Sequence, residues 1–320
     1  MNKHVQVIGI DLGGTSIKGI VADETGRILL QTRRPAEAAR GREAILEQLG
    51  QLLAGLLEQA PCAAAIGAAS AGRINSESGE VVYATDNLPG WQGLQLRDWI
   101  EQRWGLPAAV DNDANAALLG EAWSGAGRGL QDVVMLTLGT GVGGANLMQG
   151  RLLRGARWSG GEWGHCVLVP GGTRCNCGRR GCAEQYVSGT ALSRLAREAG
   201  APAEGRALFE AASRGEPAAA AVLGQYADAL ALLIGNIEVS LNPEVVILGG
   251  GVADSAPLWW RALEQALARA RVAQPVRPAQ LGNGAGSLGA AWLALERQQT
   301  VPVLADEKQY GSEAGAAAAD

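Results

Sequence analysis

Val5-Gln6-Val7-Ile8-Gly9-Ile10-Asp11-Leu12-Gly13-Gly14-Thr15-Ser16-Ile17-Lys18 is the stretch on which the reading of this chain turns. An apolar run ends in an aspartate, two glycines and a threonine, and a second apolar run starts at once, with no helical spacing between them. Two strands joined by a glycine turn let backbone N–H groups and the Thr15 hydroxyl converge on a phosphate, with the Asp11 carboxylate well placed for magnesium. A plain hairpin would also use glycine for positive φ, but would not need the aspartate and threonine beside it.

Working outward, residues 4–11, 17–23 and 27–33 read as a three-stranded meander with turns at Gly13-Gly14 and Thr25-Gly26. From there helix follows strand. Ile45, Leu49, Leu52, Leu53, Leu56 and Leu57 give 41–59 helical spacing, and 63–69 reads as a buried strand. Trp99 and Ile100 fall in a helix, 108–111 in a short strand, and 114–123 in a helix for which Asp113 is the expected N-cap. At Asp132 the opening pattern restarts: strand 133–138, a glycine turn, strand 142–148, a weak internal duplication. A helix over 218–239, a strand over 245–248 and a helix from about Gly286 follow. The last twenty residues, 301–320, have little to bury and are expected to be a mobile tail.

At 320 residues the chain suggests two domains with a cleft between them. Hydrophobic residues make up 47% and charged residues 18%, which suits a folded protein with a sizeable core. The 46 glycines are about twice ordinary usage. A net charge of −5 without a dense Lys/Arg block speaks against a nucleic-acid surface. No stretch reaches about 18 apolar residues and no signal peptide precedes the first strand, so a cytoplasmic protein without a membrane anchor is expected. Five cysteines, three of them between 175 and 182, fit a metal site in a reducing compartment better than a disulfide framework.

A second glycine loop, Leu138-Gly139-Thr140-Gly141-Val142-Gly143-Gly144, formally matches G-x-G-x-x-G. The residues after it read as strand, so a phosphate-gripping hairpin is the better reading than a dinucleotide site. Gly249-Gly250-Gly251 closes a third apolar strand, where a flat adenine or ribose could lie against backbone. Asp111-Asn112-Asp113-Ala114-Asn115 sets amides and carboxylates at a strand end, which suits sugar hydroxyls, and a carboxylate there can accept a proton from one of them. His165, Cys175, Cys177 and Cys182 supply a Cys₃His set for one tetrahedral zinc; four protein ligands make it structural. Glu162 and Glu184 flank that set, so fixing the loop would fix both carboxylates. Cys62 is expected in the core; Cys166 could substitute as a ligand, but points the opposite way from His165 if that segment is a strand.

These motifs, in this order and spacing, resemble the ROK family of repressors and sugar kinases within the actin-like ATPase superfamily, over roughly residues 5–297. The resemblance implies a two-domain actin-like (ribonuclease H-like) α/β fold: a small domain over 1–117 joined by a helix at about 286–298, and a larger one over 118–285 that carries the zinc loop. It implies ATP-dependent phosphorylation of a hexose, with ATP and Mg²⁺ held by Asp11, Gly13, Gly14, Thr15, Lys18, Gly139, Thr140, Gly141, Gly249, Gly250 and Gly251. Asp113 is the implied base. Asn112, Glu162, His165 and Glu184 are implied to contact the sugar, with the other nitrogen of His165 on zinc. Asn87, in Asn87-Leu88-Pro89-Gly90-Trp91, is implied to meet the sugar as in glucokinase-like members, and Gly72 lies in the loop that borders it. Where those members carry Pro-Gly in that loop, this chain has Ser70-Ala71-Gly72-Arg73, which leaves N-acetylmannosamine, allose, fructose and β-glucosides beside glucose. A homodimer is implied. Repressor relatives carry an added DNA-binding module before the first strand; with that strand at about residue 5, no such role is expected.

Overall fold

The computed structural model describes residues 5–85 and 87–300. The chain opens with β1 (Gln6–Leu12), β2 (Ser16–Asp23) and β3 (Ile28–Pro35), an antiparallel meander. Next, α1 (Arg42–Gln59) buries Ile45, Leu49, Leu52, Leu53 and Leu56 and returns the chain to β4 (Ala63–Ser70), parallel to β1. After the hairpin β5 (Arg73–Asn75) and β6 (Glu80–Tyr83) come α2 (Leu96–Trp104), β7 (Ala108–Asn112), parallel to β4, and α3 (Asp113–Ser124). The first sheet has the order β3-β2-β1-β4-β7.

The second half begins with β8 (Val133–Leu138), β9 (Val142–Met148) and β10 (Arg151–Leu152), again an antiparallel meander. It continues through α4 (Glu184–Val187), α5 (Gly189–Glu198), α6 (Gly205–Ser213), α7 (Pro217–Leu241), β11 (Val245–Gly249), α8 (Ala256–Ala270), β12 (Val276–Pro278) and α9 (Ala285–Thr300). The second sheet has the order β10-β9-β8-β11-β12, with β11 parallel to both β8 and β12. Order and strand directions thus repeat those of the first sheet. The weak duplication in the sequence is a full topological repeat: a meander, two parallel strands and a closing helix, α3 in one half and α9 in the other. By length and composition α7 could cross a membrane, yet half of the window that qualifies is buried here, with Val222, Tyr226, Leu230 and Ile234 in the second core.

The two closing helices pack against each other, and α9 also lies on the first sheet, so the end of the described chain returns to its beginning. Small residues permit this approach. A Cβ on Gly289 would stand 1.7 Å from the Ala116 carbonyl oxygen of α3, and one on Gly67 of β4 would stand 1.7 Å from the Ala290 carbonyl oxygen of α9. Backbone cannot yield that far without moving a helix, so Gly67→Ala is expected to cost about 3 kcal/mol of stability, the upper part of the range for overpacked cores. Gly55→Ala, on α1 with open space around its Cβ, is expected to be neutral or stabilising by up to about 1 kcal/mol. Urea midpoints of the two variants, compared at equal slope, check the pair.

Glu121 of α3 is fully buried and would be costly there without partners. Its carboxylate accepts hydrogen bonds from the backbone N–H groups of Ala126 (2.8 Å), Gln280 (2.9 Å) and Leu281 (2.8 Å), which fastens the end of α3 to the approach to α9. Two expectations fail. Cys62 is exposed, because it sits with Pro61 in the exposed turn between α1 and β4, flanked by the buried Ala60 and Ala63. Asp113 is not an N-cap; it is the first residue of α3, and Asn112 caps the helix. The expected tail, 301–320, lies outside the described residues.

Candidate active site

The β1–β2 turn closes with the Gly13 N–H donating to the Ser16 carbonyl at 3.1 Å. Asp11 and Lys18 are register partners across the hairpin, and Lys18 Nζ donates to Asp11 Oδ2 at 3.1 Å and to the Asn283 carbonyl at 3.2 Å. A Cβ on Gly286 would stand 3.0 Å from the Asp11 carboxyl carbon, so the first turn of α9 leaves room for that carboxylate. A Cβ on Gly14 would stand 3.0 Å from the Asn87 carbonyl oxygen, which puts Asn87 beside this loop. Its segment is anchored by Trp91, fully buried, whose indole N–H donates to Ser70 Oγ at 2.9 Å.

The β8–β9 turn is the second glycine loop, closed by Gly139 N–H to the Gly141 carbonyl at 3.0 Å. Gly250, at φ +84°, presses the third loop onto it, and a Cβ there would stand 2.6 Å from the Leu138 carbonyl oxygen. The Val252 N–H donates to that same oxygen at 3.0 Å. Gly139, Thr140 and Gly251 line a cavity of about 650 Å³ together with Thr190 and Arg197 of α5 and Phe209 of α6. The volume suits a nucleoside. Its far wall was not visible in the sequence, where α5 and α6 carry single glycines, Gly189 and Gly205, but no glycine-rich loop.

Asn112 is the most heavily used polar side chain at the strand ends. Its Oδ1 accepts from the backbone of Ala114 (2.8 Å) and Asn115 (3.2 Å), and its Nδ2 donates to the Gly72 carbonyl (2.7 Å) and to Asp113 Oδ1 (2.9 Å). Gly72 stands at φ +103°, with no room for a side chain against the Tyr83 carbonyl. The Asp113 side chain reaches solvent at the start of α3. Desolvation by the surrounding protein first, and repulsion from Asp11 second, raise its pKa from 3.8 to about 6. A carboxylate with this pKa is ionised for the most part at neutral pH and basic enough to take a proton.

The remaining side chains arrive on β9 and the loop that follows β10. A Cβ on Gly143 would contact the Ala114 methyl at 3.5 Å, and one on Gly164 would stand 2.3 Å from the Val142 carbonyl oxygen, so β9 runs between α3 and the Glu162–His165 turn. Glu184 Oε2 accepts the Val142 N–H at 3.0 Å, tying the zinc loop to the second glycine loop. Glu162 is exposed at the start of its turn.

His165, Cys175, Cys177 and Cys182 bring one ligand atom each within 4.8 Å of one another. Cys177 and Cys182 sulfurs stand 3.6 Å apart, and Cys175 Sγ is 3.7 Å from His165 Nδ1. A tetrahedral zinc with bonds of about 2.3 Å to sulfur sets its ligands about 3.8 Å apart, so the cluster fits that ion. Burial, then the hydrogen bonds its S–H makes to Cys177 and Cys175, push the Cys182 thiol up to about 12. A cation among these sulfurs would reverse that, since a coordinated thiol is deprotonated outright. Cys166 stays outside the set, although residues 163–165 form a tight 3₁₀ turn and not the strand that would turn it opposite His165.

With this geometry in place, comparison with known proteins is decisive. The ROK family model matches residues 7–297. The chain belongs to the ROK family. Among its ROK relatives, the glucokinase of Thermotoga maritima is 36% identical over 320 residues, covering 92% of this chain and 98% of that protein. The structure of a ROK hexokinase from Thermus thermophilus superposes with a TM-score of 0.83 at 36% identity, covering 92% of this chain and 99% of that one. A ROK glucokinase from Streptomyces griseus, solved with glucose and AMPPNP, superposes with a TM-score of 0.77 at 35% identity over 91% of this chain and 99% of that one. The two-domain α/β sugar-kinase architecture expected of a ROK chain is the one found.

Proposed function

We propose that this chain is an ATP-dependent glucokinase, which moves the γ-phosphoryl group of ATP to the 6-hydroxyl of glucose. The observation that carries the reading is the placing of Asn112 and Asp113 at the start of α3, between two glycine hairpins of matching topology, in a chain with glucokinase relatives along nearly its whole length. Backbone N–H groups of Gly13, Gly14, Gly139 and Gly141, with the Thr15 and Thr140 hydroxyls, hold the phosphates, and Gly249, Gly250 and Gly251 with the α5–α6 wall hold the nucleoside. Asp11, oriented by Lys18, is the carboxylate for Mg²⁺. Bound there, the ion would supply positive charge against the phosphates of the nucleotide.

Asn87, Asn112, Glu162, His165 and Glu184, with the Gly72 loop, hold the sugar hydroxyls. Asp113 accepts the hydroxyl proton as the sugar oxygen attacks phosphorus in line; the bond from phosphorus to the bridging oxygen breaks and ADP leaves with the electron pair. The four-ligand zinc site fixes the loop that carries His165 and Glu184. Closure of the halves, 1–117 with the last helix against 118–285, excludes water, which would otherwise compete as nucleophile. A cytoplasmic homodimer completes the proposal, the reducing compartment keeping three clustered thiols free for metal.

ADP release from Mg-ATP by the zinc-loaded protein, against glucose, N-acetylmannosamine, allose, fructose and a β-glucoside, tests it. Glucose is expected to stimulate release at least tenfold over the no-sugar control and to exceed the other sugars. Release no faster with any sugar than without would overturn the kinase reading, and a stronger response to another sugar would overturn the choice of glucose.

A further inference from the structure

Asp111 is the penultimate residue of β7, 1% exposed, and a carboxylate so placed is tenable only with full compensation. Its Oδ1 accepts the Asn112 N–H at 2.7 Å and Asn115 Nδ2 at 2.8 Å. Its Oδ2 accepts two bonds from one guanidinium, Arg154 Nε at 2.7 Å and a terminal nitrogen at 2.6 Å. Arg154 does not belong to this half of the molecule. It follows β10, the edge strand of the second sheet, while Asp111 lies one residue from the end of β7, the edge strand of the first.

The loop that carries Arg154 is built to hold its shape. Leu153 N–H is tied to the Asn146 carbonyl of β9 at 2.9 Å, and Gly160 N–H closes back on the Arg154 carbonyl at 2.7 Å. Ser159 of the same loop accepts from Arg73 of β5 at 3.2 Å, a second contact between the halves. Beyond its neck the chain runs directly into Glu162 and His165.

From Asp111 the path to the reacting groups is short. Its carboxylate fixes the Asn112 N–H; the Asn112 side chain in turn caps α3 and donates to Asp113 Oδ1. We propose that Arg154 is a positioning residue for the base, reaching across from the second half to Asp111 so that Asn112 and Asp113 take their working geometry only when the two halves are together. This rests on the reading of Asp113 as the base of a sugar kinase. It makes closure do more than exclude water: it completes the orientation of the group that takes the proton.

Misplacing a reacting group by about 1 Å costs about 100-fold in rate. Arg154→Gln, in the full chain with zinc bound, is therefore expected to lower kcat about 100-fold while the KM for glucose stays within about threefold. Adding Asp111→Asn to that variant is expected to lower kcat no further, since both residues act through one path. Faster hydrogen exchange at the Asn112 amide is expected in Arg154→Gln, a readout that does not require turnover. Should Arg154→Gln not fold, Arg154→Lys keeps a cation at the buried carboxylate but loses the fork, and about a tenfold lower kcat is expected. Wild-type kcat in whichever variant folds, unchanged exchange at Asn112, or a double variant whose loss equals the product of the single losses overturns the proposal. Wild type measured alongside separates the two readings: an inactive wild type sinks the kinase assignment, and the exchange experiment still decides the role of Arg154.

Discussion

Asp113→Asn is expected to lower kcat about 1,000-fold, with zinc content kept and glucose binding weakened by less than about threefold. Positioned general bases contribute 10²- to 10⁴-fold, and the middle of that range is appropriate because in-line positioning by the glycine loops survives the change. Asparagine keeps the shape of the side chain and can still accept the bond from Asn112 Nδ2, so a lost proton acceptor is the main difference. Initial-rate kinetics and calorimetric glucose titration check the two halves of the statement. A kcat within tenfold of wild type would remove Asp113 from the role of base.

The same residue gives a signed pH dependence. Desolvation, then Asp11, lift its pKa from 3.8 to about 6, so kcat/KM of the wild type should fall about tenfold per pH unit below about pH 6 and level off above it. For stability the sign runs the other way. The folded state binds this proton more tightly than the unfolded state, so the ionised carboxylate is a burden above about pH 6 that disappears below about pH 4. Asp113→Asn should accordingly raise the melting temperature at pH 7.5 and leave it unchanged at pH 3.5.

How much of this was legible beforehand depended on whether the signal was local. The meanders, the glycine hairpins and α1 were readable because strand alternation, turn glycines and the leucine spacing of 41–59 act over a few residues. The Cys₃His set was readable because its chemistry is rare and its spacing short. The topological repeat was only hinted at, since β10 and β12, two and three residues long, leave almost no pattern in the sequence. The α5–α6 wall of the cavity was hidden because these are short helices whose relevant feature is where they pack. Asp113 was assigned the cap that belongs to Asn112: adjacent polar residues at a strand end both fit a cap, and the choice between them is set by where the last β7 residue turns. Arg154 and Glu121 were invisible for a further reason. Each is meaningful only through a partner far along the chain, Asp111 in one case and the 280–281 backbone in the other.

Cys177→Ser is expected to empty the metal site and to weaken glucose binding at least tenfold. Cys177 is exposed, so exchanging sulfur for oxygen costs little packing; what changes is the fourth ligand. Zinc held by structural sites contributes about 10 kcal/mol or more in isolated fingers, and a three-ligand site with a poor fourth donor keeps only part of it. The consequence should reach the sugar because the loop is coupled to the site at two points: His165 belongs to the ligand set, and Glu184, two residues past Cys182, holds the Val142 N–H of the second glycine loop. Loss of metal frees both, whereas ATP binding, which on the proposed reading also rests on the β1–β2 turn and on Gly249, Gly250 and Gly251, should change less. Cys166→Ser is the control, since that thiol lies outside the cluster and should leave zinc at one per chain. Metal analysis together with glucose and nucleotide titrations decides the matter. One zinc per chain in a folded Cys177→Ser protein would refute the ligand set, and full glucose affinity in a zinc-free one would refute the coupling between metal and sugar.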